Sequence, residues 1–181
     1  MRIYWFQAEA LASPMEASLL GPQVDPIVEV VLAWATTQPI IRAIALVGSL
    51  ARGTARRESD IDLMLLATDP ERFRTDTTWV AQIDWRAIGT YPEKWMDEEY
   101  GAAWSRRVWV SDWPVEFTFA SLSWANADPP DTGTRQVVSD GCRILHDPDA
   151  LLTRLCRAIG QEKAGRSMTP PAPNVPMTLG R

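Results

Sequence analysis

Three carboxylates and one glycine–serine pair stand out along the chain. Asp60 and Asp62 sit at the start of an apolar run, DIDLMLLA at 60–67. Read as a strand, positions i and i+2 share one face, on the order of 7 Å apart at the backbone. Two carboxylates that close are costly unless a cation neutralises them, and hard Mg²⁺ favours such oxygens. Glu116 is a charge inside a second apolar stretch, PVEFTFA at 114–120, where Val115, Phe117 and Phe119 face one way and Glu116 and Thr118 the other. A third carboxylate suits a two-cation site, in which one ion grips a triphosphate and the other lowers the pKa of an attacking hydroxyl. Upstream, IRAIALV at 41–47 runs into Gly48, where the missing side chain lets backbone approach a ligand. Ser49 adds a hydroxyl and an N–H at the start of a helical turn, which favours phosphate. Together these residues could direct a substrate oxygen in line onto the α-phosphate of a nucleoside triphosphate, with pyrophosphate leaving.

The elements that must position them are readable from periodicity. Residues 26–38 have Ile27, Val30, Val31 and Trp34 on one helical face, with Pro26 in the first turn and Pro39 as a stop. Residues 41–47 read as a buried strand, 49–53 as a short helix, 54–59 as a polar loop and 60–67 as the neighbouring strand. A helical stretch is expected over 69–86, opened by Asp69 and Pro70, and 91–104 is mixed and acidic without an assigned element. Residues 106–110 and 114–120 read as two strands joined by a hairpin turn at Ser111, Asp112 and Trp113. CRILH at 142–146 reads as a short strand, and Asp147-Pro148-Asp149 opens a last helix to about residue 159. Residues 1–24, broken by Pro14, Gly21 and Pro22, are assigned to no element. A domain over 25–160 and a flexible Pro-rich tail over 161–181 complete the division.

Gly48-Ser49, ten residues, then Asp60-Ile61-Asp62-Leu63 resembles the signature of the nucleotidyltransferase superfamily that includes DNA polymerase beta. The fuller run GSLARGTARRESDIDL is similar to the small bacterial minimal nucleotidyltransferases. PVEFTFASLSWAN and VVSDGCRILHDPDALL resemble the streptomycin and aminoglycoside 6-adenylyltransferase branch. The resemblance implies an α+β fold, a mixed β-sheet flanked by helices. It implies Mg²⁺, two ions in all, and ATP as nucleotide donor. By position, Gly48 and Ser49 would bind the triphosphate, Asp60 and Asp62 both metals, and Glu116 the third ligand site. The third acid is often Asp in the superfamily, and the aminoglycoside enzymes carry a C-terminal helical domain where this chain has a Pro-rich tail. The acceptor would be a hydroxyl of a small molecule or protein. The resemblance also allows a second role, an antitoxin-type or degenerate member that acts by binding a helical partner protein.

Composition bounds the rest. A net charge of −5 argues against dedicated nucleic-acid binding, which depends on neutralising phosphates. No apolar run is long enough to span a bilayer, and a cytoplasmic location is the default expectation. One histidine, His146, leaves carboxylates as the expected acids, bases and metal ligands. Cys142 and Cys156, far apart in sequence, have no metal-ligand spacing and read as ordinary thiols. Arg52, beside the Gly-Ser turn, is the best placed of Arg52, Arg56 and Arg57 to hold a triphosphate. Asp97, Glu98 and Glu99 read as acidic surface, although they could attract a cationic acceptor. Trp34, Trp79 and Trp109 fit core positions. Trp95, Trp104, Trp113 and Trp124 could line a pocket, with core packing the commoner role for each.

Overall fold

The computed structural model describes residues 24–101, 103–111 and 113–167, with side chains described to residue 160. The expectations for residues 1–23 and for the tail beyond 167 lie outside the described residues. A six-stranded mixed sheet forms the centre. Its strands are β1 (Ile41–Val47), β2 (Ile61–Ala67), β3 (Pro92–Tyr100), β4 (Ala103–Val110), β5 (Trp113–Ser121) and β6 (Cys142–His146). They lie in the order β3-β4-β5-β2-β1-β6. All neighbours are antiparallel except β2 and β5, which run parallel.

Strict alternation explains why the sheet can carry both a core and a site. Ile61, Leu63 and Leu65 of β2, with Val115, Phe117 and Phe119 of β5, are buried on one face. There they meet α1 (Val24–Thr36), whose Ile27, Val31 and Trp34 form the expected apolar stripe. The other face carries Ala43, Ala45, Met64 and Leu66, packed on Leu152, Leu155 and Ile159 of α6 (Leu151–Ser167). Asp62 and Glu116 belong to this second face by the period of two. The side chain of Asp147 caps α6 by accepting from the Thr153 N–H at 2.8 Å and the Leu152 N–H at 3.3 Å.

Four stretches differ from the sequence reading, one of them α6, which continues to Ser167 through residues expected in the tail. Residues 69–86 are not one helix but α3 (Glu71–Thr75), α4 (Trp79–Gln82) and a 3-10 turn at Trp85–Ile88. The Trp79 indole N–H donates to the Phe73 carbonyl and the Trp85 N–H to the Val80 carbonyl, each at 2.7 Å. Burying those two rings takes carbonyls that a continuous helix would use, and Asp76 turns back onto the Thr78 N–H at 2.9 Å. The acidic stretch at 91–104 contains the edge strand β3, hidden from periodicity because almost all of it is exposed. Residues 132–140, given no element, form α5 (Thr132–Asp140), whose N-terminus is capped where the Asp131 carboxylate accepts from the Thr134 N–H at 3.0 Å.

Arg106 shows how β3 is held. Its guanidinium is 1% exposed and forks onto Asp97 at 2.7 and 2.8 Å. It lies within 6 Å of the Trp79, Trp95 and Trp104 rings. Asp97 is therefore a structural partner. Glu99 is likewise paired, with Arg74. Trp104 joins the core, whereas Trp109 is only partly buried, with the Lys94 ammonium 4.7 Å above its ring.

Candidate active site

The second face of the sheet brings the predicted acids together. The parallel register of β2 and β5 sets Asp62 directly opposite Glu116. Asp60, one residue before β2, completes the group: one carboxylate oxygen from each of Asp60, Asp62 and Glu116 lies within 4.8 Å of the others. Hard divalent cations take oxygen ligands at such separations.

Gly48 opens α2 (Gly48–Arg52) directly after β1, at φ +70. A Cβ there would collide with the Asp62 carboxylate. The turn therefore lies directly against Asp62, and the absence of a side chain makes that approach possible. Ser49 follows on the same turn. Arg52 stands at the far end of α2, its guanidinium donating to the Asp140 carbonyl at 3.1 Å, with its charge felt at Asp62.

Burial is the main cause that lifts the Asp62 carboxyl from the ordinary 3.8 to about 7, with repulsion from Glu116 and Asp60 adding to it. Asp60 is raised for the same first reason, and Arg107 opposes the rise. Because the folded chain holds the Asp62 proton more tightly than the unfolded chain, its contribution to stability is complete below about pH 4 and is lost as pH rises through about 7. The metal-free protein is expected to melt at progressively lower temperature across that window in a differential scanning fluorimetry series. Asp62→Asn should flatten the dependence; an unchanged slope in that variant would assign it to other groups.

Sequence reasoning missed Arg107. Its guanidinium reaches Glu116 at 2.6 Å and Asp60 at 3.0 Å, so a positive charge already sits among the three acids. In the absence of a metal, the guanidinium neutralises part of the charge on Asp60 and Glu116. The Arg107 Nε is buried without a hydrogen-bond partner, so the guanidinium leaves one donor unused in this position. The signal was available by counting: Val110 faces Trp113 across the hairpin, which sets Arg107 against Glu116. Replacing it with neutral Gln should strengthen Mg²⁺ binding by roughly tenfold in calorimetry, since a like-charged competitor at contact distance is worth about 1 kcal/mol or more. It should also lower metal-free stability, through unrelieved repulsion among the acids. Weaker Mg²⁺ binding in Arg107→Gln would mean that the guanidinium positions the acids rather than competing for them.

A cleft of about 480 Å³ opens beside the acids, lined by Val47, Asp62, Glu116, Tyr100, Trp124 and Val137, among others. Of the four tryptophans considered for a pocket, Trp124 lines it. Trp104 is buried at 3% exposure, and Trp95 is half exposed beside Arg106. Tyr100 and Glu98 hydrogen-bond at the cleft's edge, which pushes the phenol up to about 12. Among the described residues no helix is long and apolar enough to cross a membrane.

No curated protein sequence matches this chain. Among solved structures, a toxin–antitoxin with AMP-PNP matches at 16% identity over 77% of this chain and 89% of that one, with a TM-score of 0.40. The family description of streptomycin adenylyltransferase matches residues 23–160. That span runs from the start of α1 into α6 and contains the Gly-Ser turn, the acids and Arg107. The adenylyltransferases are nucleotidyl-transferring proteins, and this chain belongs to the streptomycin adenylyltransferase family.

Proposed function

We propose that the domain over residues 25–160 transfers AMP from ATP to a hydroxyl of an acceptor, with Mg²⁺ held by Asp60, Asp62 and Glu116. The observation that carries this reading is the convergence of those three carboxylates within 4.8 Å, against the Gly48 turn. Magnesium in that position would neutralise the triphosphate and ease ionisation of the attacking hydroxyl. The Ser49 hydroxyl and the N–H groups opening α2 bind the triphosphate oxygens, and Arg52 adds charge from the end of the same turn. The acceptor oxygen attacks the α-phosphorus as the bond to the pyrophosphate oxygen breaks. Glu116, the cross-strand partner of Asp62, receives the acceptor's proton in this reading. The cleft walls at Tyr100, Trp124 and Val137 keep water away from the reacting atoms and orient the acceptor or the base.

Calorimetric titration of a non-hydrolysable ATP analogue tests this. Saturable heat is expected with Mg²⁺ and not with EDTA, and α-labelled ATP should then pass label to a hydroxyl acceptor in a screen. Absence of Mg²⁺-dependent binding to the wild type would sink the enzyme reading. It would leave the alternative of a fold that works by binding a helical partner.

A further inference from the structure

The fold brings together two thiols that the sequence keeps apart. Cys142 is the first residue of β6 and Cys156 lies in the middle of α6, 14 positions later. Their sulfurs are 3.9 Å apart, unbonded, and both residues are half-buried. The placement follows from the packing of α6 on the second face of the sheet. There Cys142 is partly buried and packs against the core cluster that contains Val47, Leu152 and Leu155. Two partly accessible sulfurs that close need little movement to bond.

We infer that Cys142 and Cys156 form a reversible thiol–disulfide site, closed by a peroxide and opened by a dithiol. Cys156 is the attacking sulfur. As a thiolate it accepts the Cys142 S–H, which lowers its pKa, while the same contact and burial push Cys142 up. The Cys156 thiolate attacks one peroxide oxygen, the O–O bond breaks, and hydroxide leaves to give a sulfenic acid. The Cys142 sulfur then attacks the Cys156 sulfur, the S–O bond breaks, and water leaves with the Cys142 proton. The product is one disulfide that staples β6 to α6.

The site lies next to the nucleotide turn. Cys142 is the cross-strand partner of Val47, the residue before Gly48. Gly141, immediately before it, packs so closely on Arg52 and the Gly48 carbonyl that a Cβ would clash with the Arg52 side chain. Oxidation therefore joins α6 to the strand that buttresses Gly48 and Arg52.

The full-length protein should be treated with hydrogen peroxide under native conditions and digested with trypsin without reduction. Peptides 136–143 and 155–157 should migrate as one species, roughly 2 Da lighter than their sum, and separate on adding dithiothreitol. Cys142→Ser and Cys156→Ser should each abolish that species. The oxidised wild type should melt no lower than the reduced form, since closure across a native contact adds a constraint on the unfolded chain. Separate peptides, oxidation to sulfinic acid without a crosslink, or crosslinks only between chains would each overturn the inference. These readouts are independent of ATP, so they stand or fall apart from the transferase reading.

Discussion

Asp62→Asn is expected to lower the rate of nucleotidyl transfer by about 10³-fold, the equivalent of about 4 kcal/mol in the barrier. The magnitude follows from the position of the residue. Asp62 lies within 4.8 Å of Asp60 and Glu116, against the Gly48 turn, and is the acid whose carboxyl burial shifts furthest. With its carboxyl lifted to about 7, Asp62 is only partly ionised at neutral pH without a cation, and a bound cation would favour the ionised form. Asparagine keeps the shape and removes one anionic ligand, and the Lewis-acid contribution of a bound cation is worth several kcal/mol. Stability should not fall with activity: without the buried charge, the metal-free variant should be at least as stable as wild type near pH 7. Parallel measurement of turnover and melting temperature separates the two. A variant that keeps wild-type turnover would remove Asp62 from the chemistry.

Gly48→Ala carries the second large effect. The residue is at φ +70, where a Cβ costs on the order of 1–2 kcal/mol. That strain is the smaller part. The added methyl would overlap the Asp62 carboxylate, so the turn and the acid cannot both keep their places. A displacement of about 1 Å in a reacting assembly can cost roughly 10²-fold in rate. Mg²⁺-dependent binding of an ATP analogue is expected to weaken by a similar factor, while the sheet remains folded. Gly53, also at positive φ, has open space around it, and Gly53→Ala supplies the control: it bears the backbone strain without the collision. Equal losses in the two variants would assign the effect to the backbone alone.

The strands that carry the acids were legible because each has two faces with different tasks. Along β5 the alternation of Val115, Phe117 and Phe119 with Glu116 and Thr118 is visible in residue types alone, and the buried face confirms it. β1 and β2 were readable instead as short apolar runs buried almost throughout, and α1 from its helical stripe. β3 was not, because Glu93, Lys94, Asp97 and Glu99 are exposed, and Asp97 and Glu99 pair with Arg106 across the hairpin and with Arg74, 25 positions away. Arg106 and Arg107 illustrate the limit best. They are identical in type and adjacent, yet the pleat sends one among tryptophans and the other among carboxylates. The broken helix over 69–86 depends on indole hydrogen bonds that form only once the rings are buried. The proximity of Cys142 to Cys156 likewise depends on where α6 packs.

The parallel pairing of β2 with β5 has one more consequence. Asp62 and Glu116 are neighbours in space, but residues 68–112 loop out between their strands and return as the sheet's far edge. The register that aligns them is held by apolar contacts on both faces, and a slip of one residue would turn Glu116 into the core. Insertions or deletions near the β3–β4 turn would reshape the cleft wall at Tyr100 and Ala103 while leaving the acids aligned. The scaffold thus separates what must be kept from what can be remodelled, and libraries aimed at new acceptors belong at that turn.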